Sequence, residues 1–139
     1  MDAKKFALGT VAGGVTYFLL GWLIYGVVLV KFMDANMGSA TGVMKETPDF
    51  LWLIIGNLAW GALLTWIFLR WAGIKTFGAG AQAGLVLGLI MALAYDSMMY
   101  GTTNVMNMTG MLADVVVTTV MSAVAGGVVG WVLGMGAKS

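Results

Sequence analysis

The sequence predicts an all-α polytopic membrane protein, a bundle of four transmembrane helices, on three observations. The chain of 139 residues is 60% hydrophobic and only 9% charged, with a mean hydropathy of +0.94. A soluble domain carries roughly 25% charged residues, so this chain lacks the polar surface of a globule in water. Its apolar residues fall into four long stretches, 8–30, 50–71, 79–100 and 111–135, each near the roughly 20 residues that cross a hydrocarbon core of about 30 Å. The segments between them carry turn chemistry, and the whole of 1–139 reads as a single membrane domain.

The first stretch follows Lys4 and Lys5 and is much longer than the roughly 7 to 15 apolar residues of a signal-peptide core. It is therefore expected to remain as an anchor helix. A loop over 31–49 follows, and Thr47, Pro48 and Asp49 suggest an N-cap, a proline at the first helical position and an acid in the first turn of the second helix. Gly73 and Gly78 bracket the link to the third helix. The link to the fourth, between Gly101 and Gly110, holds Thr102, Thr103, Asn104, Asn107 and Thr109, a polar set suited to a turn.

Basic residues near span ends set orientation. Lys4, Lys5, Arg70, Lys75 and Lys138 fall on one side, whereas Lys31 and Lys45 on the other are diluted by Asp34, Glu46 and Asp49. Both termini are expected in the cytoplasm, with the 31–49 loop outside. Trp52 at one end of the second helix, and Trp66, Trp71 and Trp131 near the inner face, match interfacial aromatic belts.

Lipid is as apolar as leucine, so helices in a membrane associate through close backbone approach at small residues. Gly80, Gly84 and Gly88 on the third helix and Gly126, Gly130 and Gly134 on the fourth form stripes at four-residue spacing. Both run from about 2 to about 14 Å inside the same face at 1.5 Å per residue, which predicts contact between these helices. Gly9 and Gly13 form a shorter version on the first. Leucine at Gly84 or Gly130 should be disruptive, and leucine at Gly38 in the outer loop mild.

Polar groups at membrane depth are costly and mark functional sites. Asp96, Asp114, Tyr25 and Asn57 lie about 6, 5, 8 and 10 Å inside the outer face by the helical rise, one from each helix. Tyr100 is one turn beyond Asp96, and Thr118 and Ser122 continue the Asp114 face. Asp96, Asp114, Asn57, Tyr25, Tyr100 and Thr118 are thus candidates to line an outer-half cavity for a ligand or a proton. Asp114 in a first turn is favoured as an anion and Asp96 in the last turns is not, making Asp96 the expected donor or proton carrier. The alternative role for both is a cap and polar glue. Gln82, 14 residues before Asp96, falls on the same face by helical arithmetic.

Eight of the 12 methionines lie on the outer side, and Met33, Met37, Met106 and Met108 are the candidates for soft Cu(I), Met33 and Met37 having the spacing that puts two sulfurs on one helix face. Packing is the competing role, and no resident metal or cofactor is expected. With neither Cys nor His, thiol and imidazole chemistry and thiolate or imidazole metal sites are excluded. A net charge of +1 gives no case for nucleic acid. The expected partners are the lipid bilayer and either further copies of the chain or another membrane protein.

The segments Gly21-Trp22 to Tyr25-Gly26, Asn57-Leu58-Ala59-Trp60-Gly61, Tyr95-Asp96, Thr103-Asn104 and Asp114 together resemble small bacterial four-helix integral membrane proteins grouped in families of unknown function. That resemblance implies four helices and the bacterial inner membrane, and carries no activity. Tyr95-Asp96 with Asp114 on the next helix also resembles the paired motifs of intramembrane aspartyl proteases. The Gly-x-Gly-Asp segment is absent, Asp114 being preceded by Met111, Leu112 and Ala113, and there is no Pro-Ala-Leu segment.

Three functions follow from these residues. The leading one is a non-enzymatic binding or permeation unit for a small polar solute or cation, proton-linked through Asp96 or Asp114. The second is a structural or accessory subunit that docks partners by its glycine stripes and methionines, and the remote third is an aspartyl hydrolase.

Overall fold

The computed structural model describes residues 2–135. Helix α1 (Ala3–Leu23) starts at Asp2, whose carboxylate accepts from the Lys4 and Lys5 amides at 2.9 and 3.3 Å. This cap starts the helix five residues before the apolar run at Leu8. A single π turn, Ile24–Val28, continues it, and after a break at Leu29 the short α2 (Val30–Ala35) follows inside the expected 31–49 loop. Helix α3 (Phe50–Ile67) also ends in a π turn, Phe68–Ala72, closed by Gly73 at φ 62°, the left-handed conformation that favours glycine. Helices α4 (Phe77–Thr102) and α5 (Met108–Gly134) are capped by Thr76 and Asn107, whose side-chain oxygens accept from the Ala79 and Gly110 amides at 3.2 and 2.8 Å.

The start of α3 differs from expectation. Asp49 holds the N-cap position without a side-chain bond, and Pro48 and Thr47 lie outside the helix. The first helical hydrogen bond runs from the Leu53 amide to Asp49 O, so the helix begins where the continuous apolar run begins. Lys138 lies outside the described residues.

Four segments are long and apolar enough to cross a membrane: Ala3–Val28, Phe50–Ala72, Phe77–Thr102 and Met108–Gly134, of 26, 23, 26 and 27 residues. At 1.5 Å per residue they extend roughly 35 to 40 Å, enough to span with some tilt. Leucine, valine, isoleucine and tryptophan side chains are exposed along all four, as a lipid-facing surface requires. The protein is a multi-pass membrane protein built as a four-helix bundle.

Helix α5 holds the centre. The core joins Tyr17, Leu64 and Phe68 to Met121, Ala125, Val129 and Leu133. Helix α4 packs on α5, and α1 packs on both α3 and α5, whereas α3 and α4 barely meet. A cleft between α3 and α4 is the consequence.

Backbone approach at glycine makes the two main interfaces. A Cβ at Gly80 would strike Gly126 O, one at Gly84 would strike Ser122 O and sit 3.0 Å from Gly126 Cα, and one at Gly130 would strike Thr76 O. A Cβ at Gly134 would strike Lys75 O. Between α1 and α3, a Cβ at Gly13 would lie 3.0 Å from Gly61 Cα, and one at Gly61 would lie 2.5 Å from Thr10 O. Gly9 faces the Thr65 side chain.

The end of the bundle with the 31–49 loop, the loop end, is tied together by backbone. The Ala40 amide donates to Asn104 O at 3.0 Å, the Asn107 amide to Asn36 O at 3.1 Å, and Asn107 Nδ2 to Asn36 Oδ1 at 3.2 Å. Gly38 sits in this contact, and a Cβ there would strike Asn104 O and lie 3.1 Å from Met106 N. Gly38 is therefore a packed position, and leucine there is expected to disrupt the loop, contrary to its sequence reading. At the opposite end Lys5 Nζ donates to Leu133 O at 3.5 Å.

Candidate functional site

The glycine seam between α4 and α5 leads into the site. Gly80, Gly84, Gly88, Ala92 and Asp96 recur every fourth residue on α4 and all are buried. On α5 the matching series is Gly130, Gly126, Ser122, Thr118 and Asp114. Gly80 lies against Gly126 and Gly130, Gly84 against Ser122 and Gly126, and Gly88 against Ser122 and Thr118. Each four-residue step along α4 is answered by four residues back along the antiparallel α5, and two further steps bring Asp96 level with Asp114. Both carboxyls line one cavity.

A cavity of about 230 Å³ opens at this point. Helices α4 and α5 contribute Asp96, Asp114, Thr118, Met91 and Met121. Tyr17 and Tyr25 reach it from α1 and its π turn, Asn57 and Trp60 from α3, and Tyr95 from the α4 edge facing α3. A π turn shifts the helical register by one residue and recurs at functional sites. Here it carries Tyr25, whose hydroxyl donates to Asp114 Oδ1 at 2.5 Å.

Asp96 is 2% exposed, and its Oδ2 is buried without a hydrogen-bond partner among the described residues. Asp114 is half-buried and accepts from Tyr25. Among the described residues no lysine or arginine lines the cavity. Two carboxylates in a poorly hydrated site carry charge only if a proton or an external cation compensates them. The walls are otherwise uncharged. Tyr17, 3% exposed, donates to Ser122 Oγ at 2.7 Å and lies against Trp60 with ring centroids 5.7 Å apart. Asn57 Nδ2 donates to its own helix at Leu53 O, at 2.8 Å.

The structure thus brings Asp96, Asp114, Asn57, Tyr25 and Thr118 to one cavity, and leaves Tyr100 out. Tyr100 is 40% exposed and does not line it, because the stripe facing α5 ends at Asp96 and α4 continues past the cavity. Gln82 is exposed. A contact line built on every fourth residue winds about the helix, so Gln82, in line with Asp96 parallel to the axis, faces outward at its own depth.

The helix-dipole argument for the two acids also changes. With α5 starting at Met108 and α4 ending at Thr102, Asp114 and Asp96 each lie beyond the terminal turn, where the dipole has faded. What separates them is the Tyr25 bond to Asp114 and the deeper burial of Asp96. Of the methionines, Met37 lies past Ala35, the end of α2. Met33 and Met37 therefore share no helix face, and the geometric basis for a paired thioether site is lost. Met106 lies in the link before α5 and Met108 is 47% exposed at its first turn.

Sequence reasoning missed Tyr17, Trp60, Met91, Ala92, Tyr95 and Met121 as lining residues. Two of these left a signal: Tyr17 stands two helical turns before Tyr25, and Trp60 one turn after Asn57. Comparison with known proteins adds no relative, for no family model, curated protein or solved structure matches the chain.

Proposed function

We propose that this membrane protein binds a small cation or polar solute in the α1–α3–α4–α5 cavity, and passes it with exchange of protons at the Asp96–Asp114 pair. The observation that carries this reading is the Asp96 carboxyl, 2% exposed with Oδ2 unpartnered among the described residues, sharing with a second carboxyl a cavity that no described lysine or arginine lines. Such an arrangement is stable as polar glue only when every group is paired, and Oδ2 is not. It is suited to take up a positive charge from outside.

The accessory-subunit reading draws less support. Of its two docking features, the glycine stripes and the methionines, the stripes are used inside the chain, where their glycines pack between α4 and α5. An isolated four-helix bundle is small for alternating access, so passage implies association of several copies. The bacterial inner membrane and cytoplasmic termini complete the proposal.

Two experiments test it. Melting of the purified chain in non-ionic detergent is expected to rise on adding sodium, potassium, ammonium, methylammonium or benzyltrimethylammonium salts, for at least one of them and saturably, since a ligand of the native state stabilises it in proportion to occupancy. No cation-specific rise, or the same rise in Asp96→Asn, overturns the reading. For orientation, the chain has no native cysteine, so Ser39→Cys provides a single thiol in the loop. An impermeant maleimide is expected to label it on intact cells, and labelling confined to inverted vesicles reverses the topology.

A further inference from the structure

The cavity also discriminates among cations, and on the reading above we infer that its ligand is a substituted organic ammonium bearing an aromatic or branched apolar group. A metal ion does not suit this site. A hard cation takes about six to eight oxygen ligands, and no group of three or more acidic, histidine or cysteine side chains gathers anywhere among the described residues. Beyond the carboxyls the wall offers only neutral groups, and of these Tyr25 donates to Asp114, Tyr17 to Ser122 and the Asn57 amide to Leu53 O. Asp96 and Asp114 can neutralise one diffuse positive charge but cannot rebuild a hydration shell.

Four of the other lining residues are aromatic. Tyr17, Tyr25, Trp60 and Tyr95 line the cavity with the two carboxyls, and the faces of such rings attract a weakly hydrated cation, tryptophan most strongly. The volume of about 230 Å³ corresponds to roughly seven waters at about 30 Å³ each, far more than an alkali ion fills and enough for an ammonium with several carbon substituents.

The route in has the same character. Tyr95 lines the cavity and yet is 65% exposed, so the cavity reaches the outer surface of the bundle at the α3–α4 cleft. Both helices of this cleft belong to the apolar spans Phe50–Ala72 and Phe77–Thr102. A ligand with an apolar body can arrive from the bilayer through this gap and place its charged head on Asp96.

Benzyltrimethylammonium and its uncharged carbon isostere neopentylbenzene test the inference on the full chain in non-ionic detergent. The expected result is saturable binding of benzyltrimethylammonium at least about tenfold tighter than sodium, methylammonium or neopentylbenzene, because charge and ring contacts act together. Asp96→Asn is expected to weaken it at least about tenfold. Trp60→Leu is expected to weaken it about threefold to thirtyfold, the range of a desolvated cation–π contact. Equal binding of neopentylbenzene overturns the inference, because the site then does not read charge. Asp96-dependent binding of sodium or methylammonium with no preference for benzyltrimethylammonium also overturns it, and leaves the proposed function standing. Binding of no cation removes both. If Asp96→Asn does not fold, the comparison of ligand and isostere on the unaltered chain, with Trp60→Leu, decides alone.

Discussion

Gly84→Leu is expected to cost at least about 3 kcal/mol and to leave little folded protein, since overpacking a core costs 1 to 3 kcal/mol and here the obstacle is backbone. A Cβ at Gly84 would strike Ser122 O and sit 3.0 Å from Gly126 Cα, so no side-chain rotamer relieves the clash and α4 must move off α5. That interface is the largest in the bundle, and without a hydrophobic drive between helices in lipid, close packing is what holds it. Gly78→Ala supplies the control, because nothing lies within 4 Å of a Cβ there and alanine favours a helix. Thermal melting and gel filtration in detergent distinguish the two. Near-normal melting of Gly84→Leu would mean that the seam does not bear the packing assigned to it.

The second large effect concerns binding. Asp96→Asn is expected to melt close to the unaltered protein, because asparagine keeps the volume and an acceptor and adds a donor that can pair with Asp114. Cation stabilisation should disappear altogether, since the substituted pair carries at most one negative charge and that charge, on Asp114, is engaged by Tyr25. Asp114→Asn should reduce cation stabilisation less, for it spares the carboxyl that has no partner in the protein. Retained cation stabilisation in Asp96→Asn would assign Asp96 to polar glue.

Much of this was legible in the sequence, for stated reasons. Four apolar stretches of spanning length define the helices, because only a helix satisfies every backbone group in lipid. Gly80, Gly84 and Gly88 against Gly126 and Gly130 were visible as stripes, and the four candidates at a common depth, Asp96, Asp114, Asn57 and Tyr25, share one cavity. The stripes also contained more than was read from them. Continued at steps of four, they run through Ala92 and Thr118 to Asp96 and Asp114, so the packing seam and the carboxyl pair are one pattern.

Other features were hidden by physics that a sequence does not display. Asp2 and Asn107 start their helices several residues before the apolar runs, which carried Asp114 out of the first turn. The Gly38 contact with Asn104 joins two loops distant in the chain, and no periodicity reports it. Tyr100 follows Asp96 by one turn, yet where a seam ends depends on how the helices diverge.

A cation that meets the Asp96 carboxyl in this cavity perturbs that group directly, and infrared difference spectroscopy observes it. The chain has only six aspartate and glutamate side chains, so the carboxyl region is sparsely populated. Adding ammonium or benzyltrimethylammonium to the purified protein is expected to change an aspartate carboxyl band, and the change is expected to vanish in Asp96→Asn and persist in Asp49→Asn. An unaltered carboxyl region on adding either cation, or the same difference spectrum from Asp96→Asn, would contradict the account.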